Sequence, residues 1–372
     1  MLVEYFIASM KYLGIRKVFD SLNGDTYGAL WNPQSLDPDT KTRSNSRTAY
    51  WDSASNRTNL HLLTGHQVTK LITKATNEGI TIIGVEYAAG PNSSRSTVLA
   101  AKEVVLAAGA IHSPQLLQLS GIGSSSLLKQ FGVETVAKTG PYSTEGGGAY
   151  AFIGTPSFTN TTSQIISSAS SITPASYLPS DIDSTILAGY EAQYRILTRD
   201  LASNKMPIME FIFGGGPVST GLQHPFSRGS VAITSADPFT SPSANPGFLT
   251  HQTDLLLLIA AAKYARKIIN TPIFAPLSPV ETVPGPSVQT DADFEAWVRS
   301  TIATTFHPSG TTSMMKRQYG GVVDSNYKVY GVNNLRAVDA GTFPMIQSAH
   351  LQVTVYAMAE RASDVIKKSW RL

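Results

Sequence analysis

Through most of the chain, apolar residues come in short alternating runs punctuated by Gly, Pro, Asn and Asp. That spacing predicts strands and turns more than a helical bundle. Residues 81–87 place Ile83, Val85 and Tyr87 on one side, the pattern of a half-buried strand. Residues 60–63 and 67–72 read as strands around a turn at Thr64 and Gly65, and residues 207–213 and 229–234 as two more. Residues 102–109 differ: a continuous apolar run ends in Gly109, which predicts a strand buried on both faces of a parallel sheet. Residues 335–341 again read as a strand ending in glycine.

The helical signals are fewer. Residues 1–20 form an amphipathic pattern broken by Glu4 and Lys11. Ser113 and Pro114 start a helix that Gly121 and Gly123 stop. Thr253 and Asp254 cap another running to about Ile269, with Lys263, Arg266 and Lys267 toward its C-terminal half. A further helix is expected over 291–301. The last, from about His350 to Lys368, is apolar nearly all round in its first half and charged in its second. Such a helix is expected to start inside the protein and leave toward water.

Composition narrows the class. A chain of 372 residues, 42% apolar and 15% charged, can bury one large core or two interwoven ones. The net charge of +3 is scattered, with no basic run, so neither nucleic acid nor an anionic membrane is an expected partner. There is no cysteine, which excludes disulfides, thiolate metal sites and a cysteine nucleophile; no metal site is expected. The longest apolar run, 255–262, is too short to span a bilayer. Residues 1–20 lack the small-residue cleavage site of a signal peptide.

Three blocks carry candidate chemistry. The first, Gly109-Ala110-Ile111-His112-Ser113-Pro114-Gln115-Leu116-Leu117-Gln118-Leu119-Ser120-Gly121-Ile122-Gly123, reads as a strand end, a tight turn, a helix and a stop. The second is Phe306-His307-Pro308-Ser309-Gly310-Thr311-Thr312-Ser313-Met314-Met315. The third is Val338-Asp339-Ala340-Gly341, followed by Ser348-Ala349-His350-Leu351-Gln352. His61, His66, His112 and His251 read as surface or turn residues, and the element His224-Pro225-Phe226-Ser227-Arg228-Gly229 as a structural strand start.

Together these blocks resemble the signatures of the glucose–methanol–choline (GMC) family of FAD-dependent oxidoreductases, in matching order and over nearly the whole chain. The segments Thr42–Tyr50 and Arg57–Leu60 resemble fungal members most. The resemblance implies a mixed α/β fold, with an incomplete Rossmann-like FAD-binding domain (1–138 and 302–372) interwoven with an antiparallel-sheet substrate domain (139–301). It implies FAD as cofactor and a small-molecule alcohol as substrate, in fungal secondary metabolism. An alcohol carbon gives up hydride only as its hydroxyl proton departs, and a neutral imidazole can take that proton. By resemblance, His307 is the base and His350 its partner. The helix after His350 would turn its positive end to the flavin. Val68 matches a residue whose backbone meets the adenine part of FAD. Ala340 and Gln352 match contacts near the flavin and its pyrophosphate–ribityl chain, with Asp339 beside them.

The resemblance also has two gaps. No Gly-x-Gly-x-x-Gly turn occurs in the sequence, so the strand–turn–helix that opens the family's fold is expected to lie outside this chain. After Val133 the family's usual continuation is skipped, and the chain passes to Gly140-Pro141-Tyr142. Without the first strand, the strands near Val104 and Ala337 are expected to expose apolar edges, and the chain alone to bind FAD weakly. Three readings stay open: an alcohol oxidoreductase, a non-redox cyclase on the same scaffold, and a non-catalytic or split-protein partner completed by a second copy or a complementing chain.

Overall fold

In the computed structural model, which describes residues 2–77, 79–134 and 149–372, strand alternation sorts one sheet into two unlike faces. The expected passage at Gly140–Tyr142 lies outside the described residues. The sheet is antiparallel, in the order β1 (Gly28–Leu30), β6 (Ala149–Ile153), β7 (Met209–Phe213), β8 (Val218–Leu222). Met209, Phe211 and Phe213 of β7, with Ala149, Ala151 and Ile153 of β6, face the larger core. Glu210 and Ile212 point the other way, as do Tyr150 and Phe152, because successive strand side chains alternate.

Helices cover the first face. α1 (Leu2–Tyr12) contributes Phe6 and Met10, α5 (Thr155–Phe158) Phe158, and α6 (Thr162–Ser170) Ile165. α7 (Ser184–Asp200) brings Tyr194 and Leu197, and α8 (Gln252–Ile269) brings Leu257 and Tyr264. Burying each such side chain contributes about 1.5–3 kcal/mol. α9 (Asp291–Thr301) starts in a capping box between Thr290 and Asp293 and packs Phe294 and Val298 on α8.

A second core gathers the remaining sheets. β2 (Gln67–Thr76), β3 (Gly79–Ala88) and β4 (Ser96–Leu99) form an antiparallel meander, and β5 (Val104–Leu106) pairs in parallel with β11 (Leu335–Ala337). Leu71, Ile82, Leu106, Leu117, Val322 and Leu335 meet there. α3 (Gly109–Leu119) ties the parts together with polar side chains. Ser120 Oγ accepts from Leu71 N at 2.8 Å, and Gln118 holds both Val231 O and Ile233 N, beside β9 (Ser230–Ala232), which pairs with β10 (Ser243–Asn245). The short helices α2 (Asp52–Ala54) and α4 (Ser125–Gln130) complete the described elements that bear on the site, with the C-terminal helix α10 (Leu351–Trp370).

The fold corrects four expectations. Residues 60–63 form no strand and are exposed; their apolar side chains have no partner strand. β5 is not buried on both faces: Leu106 is buried but Val105 is 45% exposed, since β5 has β11 on one side only. α3 begins at Gly109 rather than at Ser113, because Asp339 and Ser113 receive the turn's amides at Gly109 and Ala108. α10 begins on buried Leu351 but does not run inside the protein, and Val353 stays 51% exposed. Its far end is latched instead, where buried Arg336 bonds Glu103 at 2.8 Å and Ser369 at 3.0 Å, and Trp370 bonds Glu103 at 2.8 Å.

Candidate functional site

Two backbone segments bring the second and third blocks side by side. Residues 310–314 run along 340–342, with Gly310 N on Ala340 O at 3.2 Å, Thr312 N on Gly341 O at 2.8 Å and Met314 N on Thr342 O at 2.8 Å. Only glycine fits at 341: a Cβ there would lie within 2.8 Å of oxygens of Thr311, Thr312 and Asp339. Asp339 closes the arrangement, its carboxylate accepting from Gly109 N at 3.0 Å, Ser113 Oγ at 2.6 Å and Gly341 N at 2.8 Å. Burial pushes this carboxyl above its ordinary range, and the three donors pull it back. Its bonds therefore all go to the chain itself, joining the turn of the first block to that of the third.

His307 leaves the parallel run just before Pro308, and His350 precedes α10. Their ring centroids lie 5.4 Å apart, inclined at 61°. The two rings are supported differently. His350 Nε2 lies 2.7 Å from Glu210 Oε1, a carboxylate buried in β7, whose other oxygen accepts from Gln223 Nε2 at 2.9 Å. Burial raises the Glu210 carboxyl, while His350 draws it down. The Gln223 amide donates to the same carboxyl group, so Glu210 and Nε2 of His350 share one proton in a site bonded on both sides. Tyr150 packs against the His350 ring at 4.3 Å and Phe152 meets it edge-on at 6.2 Å, so the ring lies over the second face of the large sheet.

His307, by contrast, makes no hydrogen bond to any described residue of the chain. Burial, helped by the neighbouring His350, pushes its imidazole down to about 3, so it is neutral at physiological pH. Phe306 before it has φ of 62° and is 76% exposed, a left-handed backbone rarely adopted by an aromatic residue. The arrangement offers a neutral ring with free nitrogens beside a ring held by a buried acid, at the N-terminal end of a long helix.

The other expected cofactor positions are spread around this pair. Ala340 starts the turn that pairs with Gly310. Gln352 is exposed in the first turn of α10, its Oε1 accepting from Ser35 Oγ at 2.6 Å. Val68 stands on a different sheet, partly exposed on β2 opposite Tyr87. Glu210 was not found by sequence reasoning. Its signal was a lone carboxylate inside the apolar run Ile208-Met209-Glu210-Phe211-Ile212, costly to bury unless partnered. His251 proves fully buried, not a surface residue: its Nδ1 caps α8 at Thr253 N and its Nε2 meets Tyr194 Oη at 3.1 Å. A cavity of about 1060 Å³ between α7 and α8, lined by Tyr190, Gln193, Arg228 and Phe343, does not include either histidine of the pair.

Comparison with known proteins bears on all of this. Two family models described as GMC oxidoreductase match residues 1–138 and 225–359. The chain is 35% identical to a GMC oxidoreductase family protein of Malassezia sympodialis, Mala s 12, over 98% of this chain and 65% of that protein. It is 31% identical to a dehydrogenase of Emericella nidulans, xptC, over 96% of this chain and 65% of that protein. It thus spans about 65% of the length of these relatives. Among solved structures, an FAD-dependent oxidoreductase from Chaetomium thermophilum superposes with a TM-score of 0.93 at 28% identity, over 99% of this chain and 72% of that one. A fungal aryl-alcohol oxidase superposes with a TM-score of 0.89 at 27% identity, over 99% and 71%.

Proposed function

The chain belongs to the GMC oxidoreductase family, and on that premise we propose that it serves the FAD-dependent oxidation of a CH–OH group, with His307 as base and His350 as partner. The observation that carries the reading is the meeting of two imidazoles with unlike support, one free and neutral, one fixed by Glu210.

The residues present suit the ring end of the cofactor. Exposed Val105 and Val353 offer apolar surface, and the N-terminus of α10 offers a positive helix end. Ala340 and Gln352 would hold the flavin and ribityl–pyrophosphate part, and the backbone at Val68 the adenine part. Asp339 would act by shaping the turn that carries Ala340, since its carboxylate is already bonded. No Gly-x-Gly-x-x-Gly turn occurs among the chain's residues to cradle a pyrophosphate. Bound FAD supplies the hydride acceptor. The chain's own side chains manage the proton: a ring nitrogen of His307 takes it from the substrate hydroxyl, and His350 orients the oxygen. Glu210 keeps His350 in one orientation and balances the charge that develops there. In domain terms, residues 1–138 and 302–372 would serve the cofactor and 139–301 the substrate, with α1 and β1 lent to the latter's core. The setting we propose is fungal secondary metabolite biosynthesis.

The test is to reconstitute the chain with FAD, supply a panel of alcohols without oxygen, and weigh the products. Loss of two hydrogens, slowed about 10²–10⁴-fold in His307→Ala, is expected. An isomeric product of unchanged mass would move the site to the cyclase reading, and an unslowed His307→Ala would remove the base from its role. The exposure of Val105 and Val353 favours a second reading, in which a complementing polypeptide covers this side. Weak FAD retention by the chain alone, strengthened by such a partner, is its expected signature.

A further inference from the structure

Immediately after β8, the chain places two polar residues under the segment that carries His350. Gln223 holds Glu210, as described. His224, next in sequence, turns to Ser348, two residues before His350: His224 Nε2 and Ser348 Oγ lie 2.7 Å apart. Ser348 Oγ in turn donates to Pro207 O at 2.7 Å. Its only proton is thereby used, so the His224–Ser348 bond runs from Nε2–H to the hydroxyl oxygen. His224 is buried and Nδ1 has no hydrogen-bond partner among the described residues, so the ring carries one proton, and carries it on Nε2. Burial pushes this imidazole down to about 4, consistent with a permanently neutral donor.

We propose that His224 is a positioning residue for His350: it holds Ser348, which is itself bonded to Pro207 just ahead of β7, while Gln223 fixes Glu210 within that strand, so the His350 ring is held from two adjacent residues. The inference rests on the reading of the histidine pair given above. It follows from connectivity. Pro207 and Glu210 belong to one strand and its approach, and Gln223 N bonds Ile208 O at 2.8 Å between them. Loosening Ser348 would let the segment ahead of α10 drift, and His350 with it. His350 has no capping bond of its own to hold it at the helix start.

The test uses the chain with ¹⁵N-labelled histidine, no cofactor required. His350 ring signals are assigned by their loss in His350→Asn. In the native chain a single Nε2–H tautomer is expected for His350 at mildly alkaline pH. Ser348→Ala and His224→Phe should both lose that single-tautomer pattern and speed solvent exchange of its Nε2–H about tenfold, the worth of one hydrogen bond. His224→Gln, which keeps a donor, should restore both, and His66 and His112 should not move. Unchanged His350 signals in Ser348→Ala and His224→Phe would overturn the proposal while leaving the pair intact. A native His350 already averaging between tautomers would instead overturn the Glu210 contact, and the proposed function's geometry with it.

Discussion

The two sides of the histidine pair are built differently. On the sheet side, β6 and β7 bury every residue but Ile212, and the one carboxylate there, Glu210, has both oxygens bonded. On the side of β5 and α10, Val105 and Val353 stand open, and His307 has no hydrogen-bond partner among the described residues. Rigidity on one side fixes an imidazole; openness on the other leaves room for a cofactor, a substrate or another chain. A site meant only to stabilise the fold would have no reason to keep one histidine locked and the next one free.

The contrast can be tested by substitution. Phe211→Ala, in the core beneath β7, should cost about 3–5 kcal/mol in urea unfolding. A loss under 1 kcal/mol would mean the sheet side is not the rigid one. Arg336→Leu should cost about 3 kcal/mol, because it leaves Glu103 buried without its cation; the thermal midpoint checks it. This pair matters because Ser369 and Trp370, at the far end of α10, bond to its two members.

Much of this was legible in the sequence, for a physical reason. The blocks at 109–123, 306–315 and 338–352 are local: a turn, a glycine that nothing else can replace, a helix start. Each announces itself without its partners. Glu210 and Gln223 were not legible as a set, because their meeting with His350 depends on β7–β8 pairing and on a contact 140 residues away in sequence. The expected burial of Val353 failed for the converse reason, whereas the exposure of Val105 follows from the strand that the resemblance places outside this chain. Periodicity reports that a side chain is apolar, and says nothing of whether a neighbour covers it.

Smaller effects sharpen the comparison. The His224 imidazole is at about 4 in the fold and near 6.5 unfolded, so between those values the unfolded chain holds a proton that the folded chain lacks. Stability from this group is therefore complete above about 6.5 and lost as pH falls toward 4. His224→Gln should flatten the stability–pH curve in that window by up to one proton, about 1.4 kcal/mol per pH unit. Equal slopes in both proteins would place His224 in solvent. Smallest of all, Val353→Ser should change stability by less than about 0.5 kcal/mol, as for an exposed helical position. A cost above about 1 kcal/mol would show this face covered.

The central claim is that His307 and His350 are neighbours, one neutral and free, the other fixed, and it is open to a single titration. ¹⁵N-imidazole shifts of His307 should report a neutral ring until the pH falls far below 6.5, toward about 3, and the midpoint should move upward in His350→Asn as the neighbouring charge is removed. A midpoint near 6.5 that ignores His350→Asn would contradict it, because the two rings would then not share a site.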